Sequence, residues 1–148
     1  MSAFALGGCN SAGTSSTTPA SATCGLPAGI TQIALVYPGN GSTGITSNPG
    51  QVIIASNGTF PINASWGPQF VPHGTVVTST SLFGGSFTAA LSPPFPNPNT
   101  PATFASPTNQ SANVPNGLLK SGTVYDVYAN DASSFCVPSQ LFGTFTTL

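Results

Sequence analysis

The side chains able to perform acid-base or metal chemistry are few in this chain of 148 residues. They comprise two carboxylates, one histidine and three thiols: Asp126, Asp131, His73, Cys9, Cys24 and Cys136. A catalytic dyad or a calcium site needs two or three converging carboxylate oxygens. Asp131 falls within a stretch of turn formers, where an aspartate typically accepts a hydrogen bond from its own backbone. We therefore predict a turn at Asp131 and no catalytic pair of carboxylates.

The lone histidine and the cysteines give no second route to catalysis. His73 lies between Pro72 and Gly74 with no acidic or cysteine neighbour in the sequence, which favours a loop histidine. The serines include no Gly-x-Ser-x-Gly elbow. No cysteines show the C-x-x-C spacing of a zinc site. We predict that the protein is not an enzyme and holds neither a metal nor a cofactor.

Charge is almost absent from the sequence. Only 2% of residues are charged and the formal net charge is -1, whereas an average domain has about 25% charged residues. A single cation cannot neutralise phosphates, which excludes nucleic acid as a partner. Two interpretations stay open: a hydroxyl- and amide-coated exported protein, packed beside copies of itself, or an adaptation to acid, where carboxylates would be protonated.

The composition predicts an all-β fold. The chain contains 17 Gly and 15 Pro and is rich in Ser and Thr, which favours strands and turns over helices. No apolar run approaches the roughly 18 residues that a membrane-spanning helix requires. At this length we expect one β-sandwich domain over residues 24–148.

Short apolar runs separated by turn formers predict the strands. A continuous proline-rich loop over residues 93–101 interrupts them, because proline cannot donate to a sheet. The predicted strands before and after it are residues 33–37, 52–55, a segment around Trp66, 74–80, 86–91 and a short edge strand at 102–105, with residues 82–85 as a hairpin connection between the fourth and fifth.

The C-terminal third predicts an antiparallel hairpin. In residues 124–130, Tyr125, Val127 and Ala129 share one face, while Asp126 and Tyr128 share the other. Residues 141–147 supply the closing strand, in which Leu141, Gly143, Phe145 and Thr147 alternate with Phe142, Thr144 and Thr146.

The N-terminal segment ends in Leu6-Gly7-Gly8-Cys9, which resembles a bacterial lipobox. The resemblance implies lipidation of Cys9, with residues 1–9 as the remnant of a signal peptide, and so attachment to a membrane through the lipid. Only eight residues precede Cys9, so either the true start lies upstream of Met1 or the resemblance is accidental. Residues 10–23 carry no charge and predict a disordered, flexible tether.

If Cys9 carries a lipid, Cys24 and Cys136 remain as an even pair. The default for such a pair in an exported protein is a disulfide, and here it would staple the two ends of the sandwich. The alternative is two buried free thiols.

Two stretches resemble the bacterial Ig-like domains of surface-layer and other exported proteins. They cover about residues 31–56, with Tyr37-Pro-Gly-Asn-Gly-Ser-Thr-Gly-Ile45, and 117–148, with Leu119-x-x-Gly122-Thr-x-Tyr125-x-Val127. Fibronectin type III modules share the second element. The resemblance implies a single antiparallel Ig-like sandwich in which Gly122 and Tyr125 define the fold and Tyr125 occupies a tyrosine-corner position.

Three functions follow as expectations. The first is a non-catalytic, structural or adhesive module of an exported lipoprotein at the bacterial cell envelope or outside the cell, with another surface protein as a partner. The second is a filament or layer subunit that self-associates by strand addition across uncharged edges. The third is a carbohydrate-binding module in which Trp66 stacks on a glycan, although a Trp at this place in an Ig-like sandwich is usually part of the core.

Overall fold

The computed structural model describes residues 25–62, 65–97, 99, 102–133 and 140–148. No helix occurs among these residues, so the prediction of an all-β chain is confirmed. The described residues form nine strands: β1 Ile33–Tyr37, β2 Ser42–Ile45, β3 Gln51–Ser56, β4 Trp66–Pro72, β5 Leu82–Phe83, β6 Ala90–Leu91, β7 Thr108–Asn113, β8 Val124–Asp131 and β9 Gln140–Thr147.

The strands form two sheets that pack as a sandwich. The first sheet has the order β1-β3-β7-β6 and the second the order β2-β9-β8-β4-β5. Pairing is antiparallel except between β2 and β9, which run parallel. The sequence predicted a wholly antiparallel sandwich, whereas the second sheet is mixed. The predicted hairpin pairing of β8 with β9 is confirmed.

The core between the sheets is aromatic and aliphatic. The β8 residues Tyr125 and Val127 face it, as the alternation predicted. The Phe70 ring meets the Tyr125 ring edge-on at a centroid distance of 6.4 Å, a favourable aromatic geometry. Phe145 of β9 completes this group at 6.1 Å from Tyr125.

The outer face of the first sheet carries a second, smaller apolar cluster. Val36, Ile53 and Ala55 are buried there against Phe95 and Phe104, which belong to the proline-rich connection between β6 and β7. This cover explains why β3 reads as an uninterrupted apolar run: the strand is buried on both faces.

The outer face of the second sheet is covered by the connection between β4 and β5. The side-chain amide of Gln69, in β4, donates to the carbonyls of Thr78 and Ser81 at 2.8 Å and 3.4 Å. The strand predicted at residues 74–80 is therefore wrong. This segment lies across a sheet as a loop, in which the Thr78 carbonyl accepts from the Gln69 side chain and the Thr78 amide donates to the Ser81 hydroxyl.

One side of the sandwich is closed by residues 84–88, which bond to both sheets in turn. The amides of Gly84 and Phe87 donate to carbonyls of β4 at 2.9 Å and 2.8 Å, and those of Gly85 and Thr88 donate to carbonyls of β7 at 2.7 Å each. The strand predicted at 86–91 is consequently reduced to β6, and the predicted 82–85 connection begins with β5. A side chain at Gly67 would collide with the Gly85 carbonyl, so glycine is required for this closure.

The opposite side is closed by β1 and β9. A Cβ added to Gly143 would lie 2.5 Å from the Cβ of Leu35, so the two strands approach closely only because residue 143 has no side chain. The β8–β9 register shifts between Val127 and Tyr128. Strict alternation predicts that Phe142 and Phe145 lie on opposite faces of β9. Because of the bulge, both side chains lie in the core.

Three strands of the structure, β2, β5 and β7, were not predicted from the sequence. The predicted edge strand at 102–105 consists of bends in the structure, and the strand in this region is β7, which begins at Thr108. Within β7, Gln110 is fully buried although it is polar. Its side chain donates to the carbonyls of Phe60 and Thr88 and accepts from the Phe60 amide, so its burial depends on distant partners.

Candidate functional site

Several predicted features lie outside the described residues. These are the lipid attachment site at Cys9, both members of the predicted disulfide, Cys24 and Cys136, the remnant signal over residues 1–9 and the tether over residues 10–23. All of them stay predictions.

Gly122 and Tyr125 lie together at the start of β8. The Tyr125 side chain is 1% exposed, and its hydroxyl accepts a hydrogen bond from the Lys120 backbone amide at 2.9 Å. Gly122 adopts a φ of +65°, the left-handed region that glycine favours, and its amide donates to the Leu148 carbonyl at 3.0 Å. These contacts join the turn before β8 to the core and to the end of β9.

Trp66, the predicted stacking aromatic, is half-buried at the start of β4. Its ring centroid lies 5.7 Å from that of Phe60, and the side chain packs against the main core. Much of the indole surface therefore contributes to the interior, and only part of it is available for a ligand.

His73 and Asp126 form a hydrogen-bonded pair on the outer face of the second sheet. The two carboxylate oxygens lie 2.9 Å and 3.0 Å from the His73 Nδ1 atom. The Thr144 hydroxyl donates to Asp126 at 3.0 Å, and the His73 backbone amide donates to the Val124 carbonyl at 2.8 Å. The prediction of a loop histidine is confirmed, but its acidic partner lies 53 positions away in the sequence and was not foreseen.

Tyr128 stands on the same face of β8 as Asp126. Burial, and secondly the negative charge of Asp126, raise the pKa of the Tyr128 phenol. This tyrosine therefore stays a neutral hydrogen-bonding group well into alkaline conditions.

Asp131 is the last residue of β8, and the turn that was predicted at this position begins one residue later, at Ala132. Its carboxylate accepts hydrogen bonds from the Ser65 hydroxyl, from the Ser133 amide at 2.9 Å and from the Ser133 hydroxyl at 2.7 Å. The bond from Ser65 is the largest cause that lowers the pKa of Asp131; partial burial opposes it and the Ser133 bonds add to it. The carboxylate has a structural role, since it joins β8 to the residues that precede β4.

A groove of about 400 Å³ opens between the proline-rich connection and the outer face of the first sheet. We call it the proline groove. Its apolar lining consists of Val36, Phe95, Ala102 and three prolines, and its polar lining consists of Asn99 and Asn109. Sequence reasoning treated the proline-rich segment only as a connection. The available signal was the apolar run of β3, which requires cover on both faces.

The described residues contain no cluster of three or more His, Cys, Asp or Glu side chains that could hold a metal ion. Within the same part of the chain, no helix has the length and apolar character needed to cross a membrane.

Comparison with known proteins gives no match: no family model, no curated protein and no solved structure is significantly similar to this chain.

Proposed function

We propose that this chain is a non-catalytic Ig-like module of an exported lipoprotein, displayed at a bacterial surface in a structural or adhesive role. The observation that carries the proposal is the order of the strands together with the Tyr125 hydrogen bond. The lipid anchor and the export rest on the sequence motif that ends at Cys9.

The strand order supports the Ig-like assignment. Immunoglobulin sandwiches place strands A, B, E and D in one sheet, with D beside E, and strands G, F and C in the other. The first sheet here follows that arrangement, with β1, β3, β7 and β6 in the places of A, B, E and D. The second follows it with β9, β8, β4 and β5 in the places of G, F, C and C′.

The tyrosine corner gives a second, independent support. In Ig-like sandwiches a tyrosine near the start of strand F bonds through its hydroxyl to the backbone a few residues upstream. Tyr125 lies near the start of β8, the strand in the place of F, and its hydroxyl bonds to the backbone of Lys120, five residues upstream. Strands β3 and β8 contain no cysteine, so the inter-sheet disulfide of antibody domains has no counterpart between these two strands.

The way the titratable groups are used supports a non-catalytic role. The carboxylate of Asp126 bonds to His73 and Thr144, and that of Asp131 bonds to Ser65 and Ser133. Each joins segments that are distant in the sequence. The described carboxylates thus act as structural cross-links of the sandwich.

The decisive experiment is mass spectrometry of the mature N-terminus in protein isolated from its native cells. We expect the first residue to be Cys9 with attached acyl chains and the protein to partition into detergent. A Cys9→Ala variant, produced in the same cells, should carry no lipid and leave the membrane fraction. An unmodified peptide that runs from Leu6 through Asn10 in exported protein would overturn the anchor.

A further inference from the structure

We propose that the proline groove is a binding site for a neutral oligosaccharide. The inference rests on the adhesive side of the proposed function and gives it a ligand class. It moves the glycan-binding hypothesis from Trp66, whose ring packs against Phe60, to a groove on the other sheet.

The size and the construction of the groove suit a small ligand. A volume of about 400 Å³ falls within the roughly 300–1,000 Å³ typical of ligand pockets. One wall rests on the sheet, where Val36 is 3% exposed and packs in the outer cluster with Phe95. The other wall contains Pro93, Pro94 and Pro107, and the fixed φ of proline limits the backbone conformations at these three positions. A groove held in this way binds with a small loss of conformational entropy.

The charge of the lining selects a neutral ligand. None of the lining residues is ionisable. A carboxylate, phosphate or ammonium group placed in this groove would lose hydration without gaining an opposite charge. This argument excludes acidic sugars, fatty acids in their ionised form and charged peptides as the preferred occupant.

The two amides distinguish a sugar from a purely apolar ligand. Asn99 and Asn109 each offer two N–H donors and a carbonyl acceptor, and no hydrogen bond joins either side chain to another described residue. An acyl chain would desolvate these amides and leave them unpaired, which is unfavourable. A pyranose provides hydroxyls at its edge for the amides and C–H groups on its face for the ring of Phe95 and the prolines.

The test is a titration of the full-length, isotopically labelled protein with neutral disaccharides, followed by NMR. Cellobiose, maltose, lactose and N,N′-diacetylchitobiose are the probes, and a glycan array extends the set. We expect at least one of them to shift the side-chain amide signals of Asn99 and Asn109 in a saturable way. An Asn109→Ala variant should then bind about tenfold more weakly, as expected for one or two lost hydrogen bonds.

Two further variants keep the result interpretable. Phe95→Ala should also weaken binding about tenfold or more through loss of stacking, and its thermal unfolding shows whether the fold survives. Asn116→Ala serves as the matched control, because Asn116 is an exposed asparagine in a turn outside the groove. It should bind like the wild type.

The proposal is overturned if no neutral glycan binds, if only charged glycans bind, or if 1-decanol or a proline-rich peptide is the only probe that shifts the groove signals. Equal affinities of the wild type and Asn109→Ala would overturn it as well. None of these outcomes depends on Cys9, so failure of the groove and failure of the lipid anchor are read by separate measurements.

Discussion

Replacing Tyr125 with phenylalanine isolates one hydrogen bond in the core of the sandwich. The substitution removes only the hydroxyl that accepts from the Lys120 amide at 2.9 Å. The ring keeps its contacts with Phe70 and Phe145, so the buried apolar area barely changes. Any loss of stability therefore reports the bond between the turn and the core.

The magnitude follows from the burial of the two partners. A typical intramolecular hydrogen bond contributes about 0.5–1.5 kcal/mol net, and a buried donor left without a partner costs about 1–3 kcal/mol. The Tyr125 side chain is fully enclosed, and the bond to Lys120 is only partly buried. We therefore expect a loss of about 1–2 kcal/mol, which lowers the Tm of a domain of this size by about 2–8 °C.

Urea denaturation followed by tryptophan fluorescence measures this change, because Trp66 is the single tryptophan and lies at the core. Tyr128→Phe is the control: it removes a hydroxyl from the same strand on the outer face, and it should change stability by less than about 0.5 kcal/mol. If Tyr125→Phe unfolds at the same urea concentration as the wild type, the hydroxyl does not hold the turn and the argument from the tyrosine corner fails.

Three other substitutions test the closure of the sandwich and the acid response. Gly143→Ala should destabilise the fold by about 1–3 kcal/mol, because its Cβ would lie 2.5 Å from the Cβ of Leu35; an unfolding free energy equal to that of the wild type would contradict the clash. Gly67→Ala should destabilise the fold to a similar degree, because its Cβ would collide with the Gly85 carbonyl. A Tm equal to that of the wild type would show that residues 84–88 can move away without loss of stability. The pKa of Asp131 is lower folded than unfolded, so its contribution is present above the unfolded value near pH 4 and is lost as the pH falls through the folded value. Asp131→Asn should therefore weaken the acid dependence of the unfolding free energy between pH 5 and 2, and parallel pH profiles would refute this role.

The strands predicted correctly from the sequence are those in which the order of apolar and polar side chains matches the faces that are buried. β8 alternates apolar and polar residues, and the structure places Tyr125 and Val127 in the core as that pattern requires. β3 is an apolar run, and it is buried on both faces. In such strands the pattern of apolar residues along the chain is sufficient to predict both the strand and its buried faces.

The errors occur where a segment depends on partners elsewhere in the chain. Residues 74–80 and 86–91 have the composition of strands, yet they lie across a sheet face and along a sandwich side. There the Thr78 carbonyl accepts from the Gln69 side chain, and the Phe87 and Thr88 amides donate to carbonyls of β4 and β7. Conversely, β7 is polar, and its buried Gln110 is tolerated because Phe60 and Thr88 satisfy its amide. Strand propensity is a property of single residues. The conformation of these segments depends instead on hydrogen bonds between residues that are far apart in the sequence.

The amino-acid sequence alone determined the all-β class, the near absence of charge and the positions of five strands, because each depends on composition or on a local pattern. Tertiary structure alone brought His73 to Asp126, across 53 positions, and laid the proline-rich segment over Val36 to form a groove. Both features arise where segments that are distant in the sequence pack against each other. Such contacts depend on packing and on hydrogen bonds between these segments, which a short stretch of sequence does not reveal.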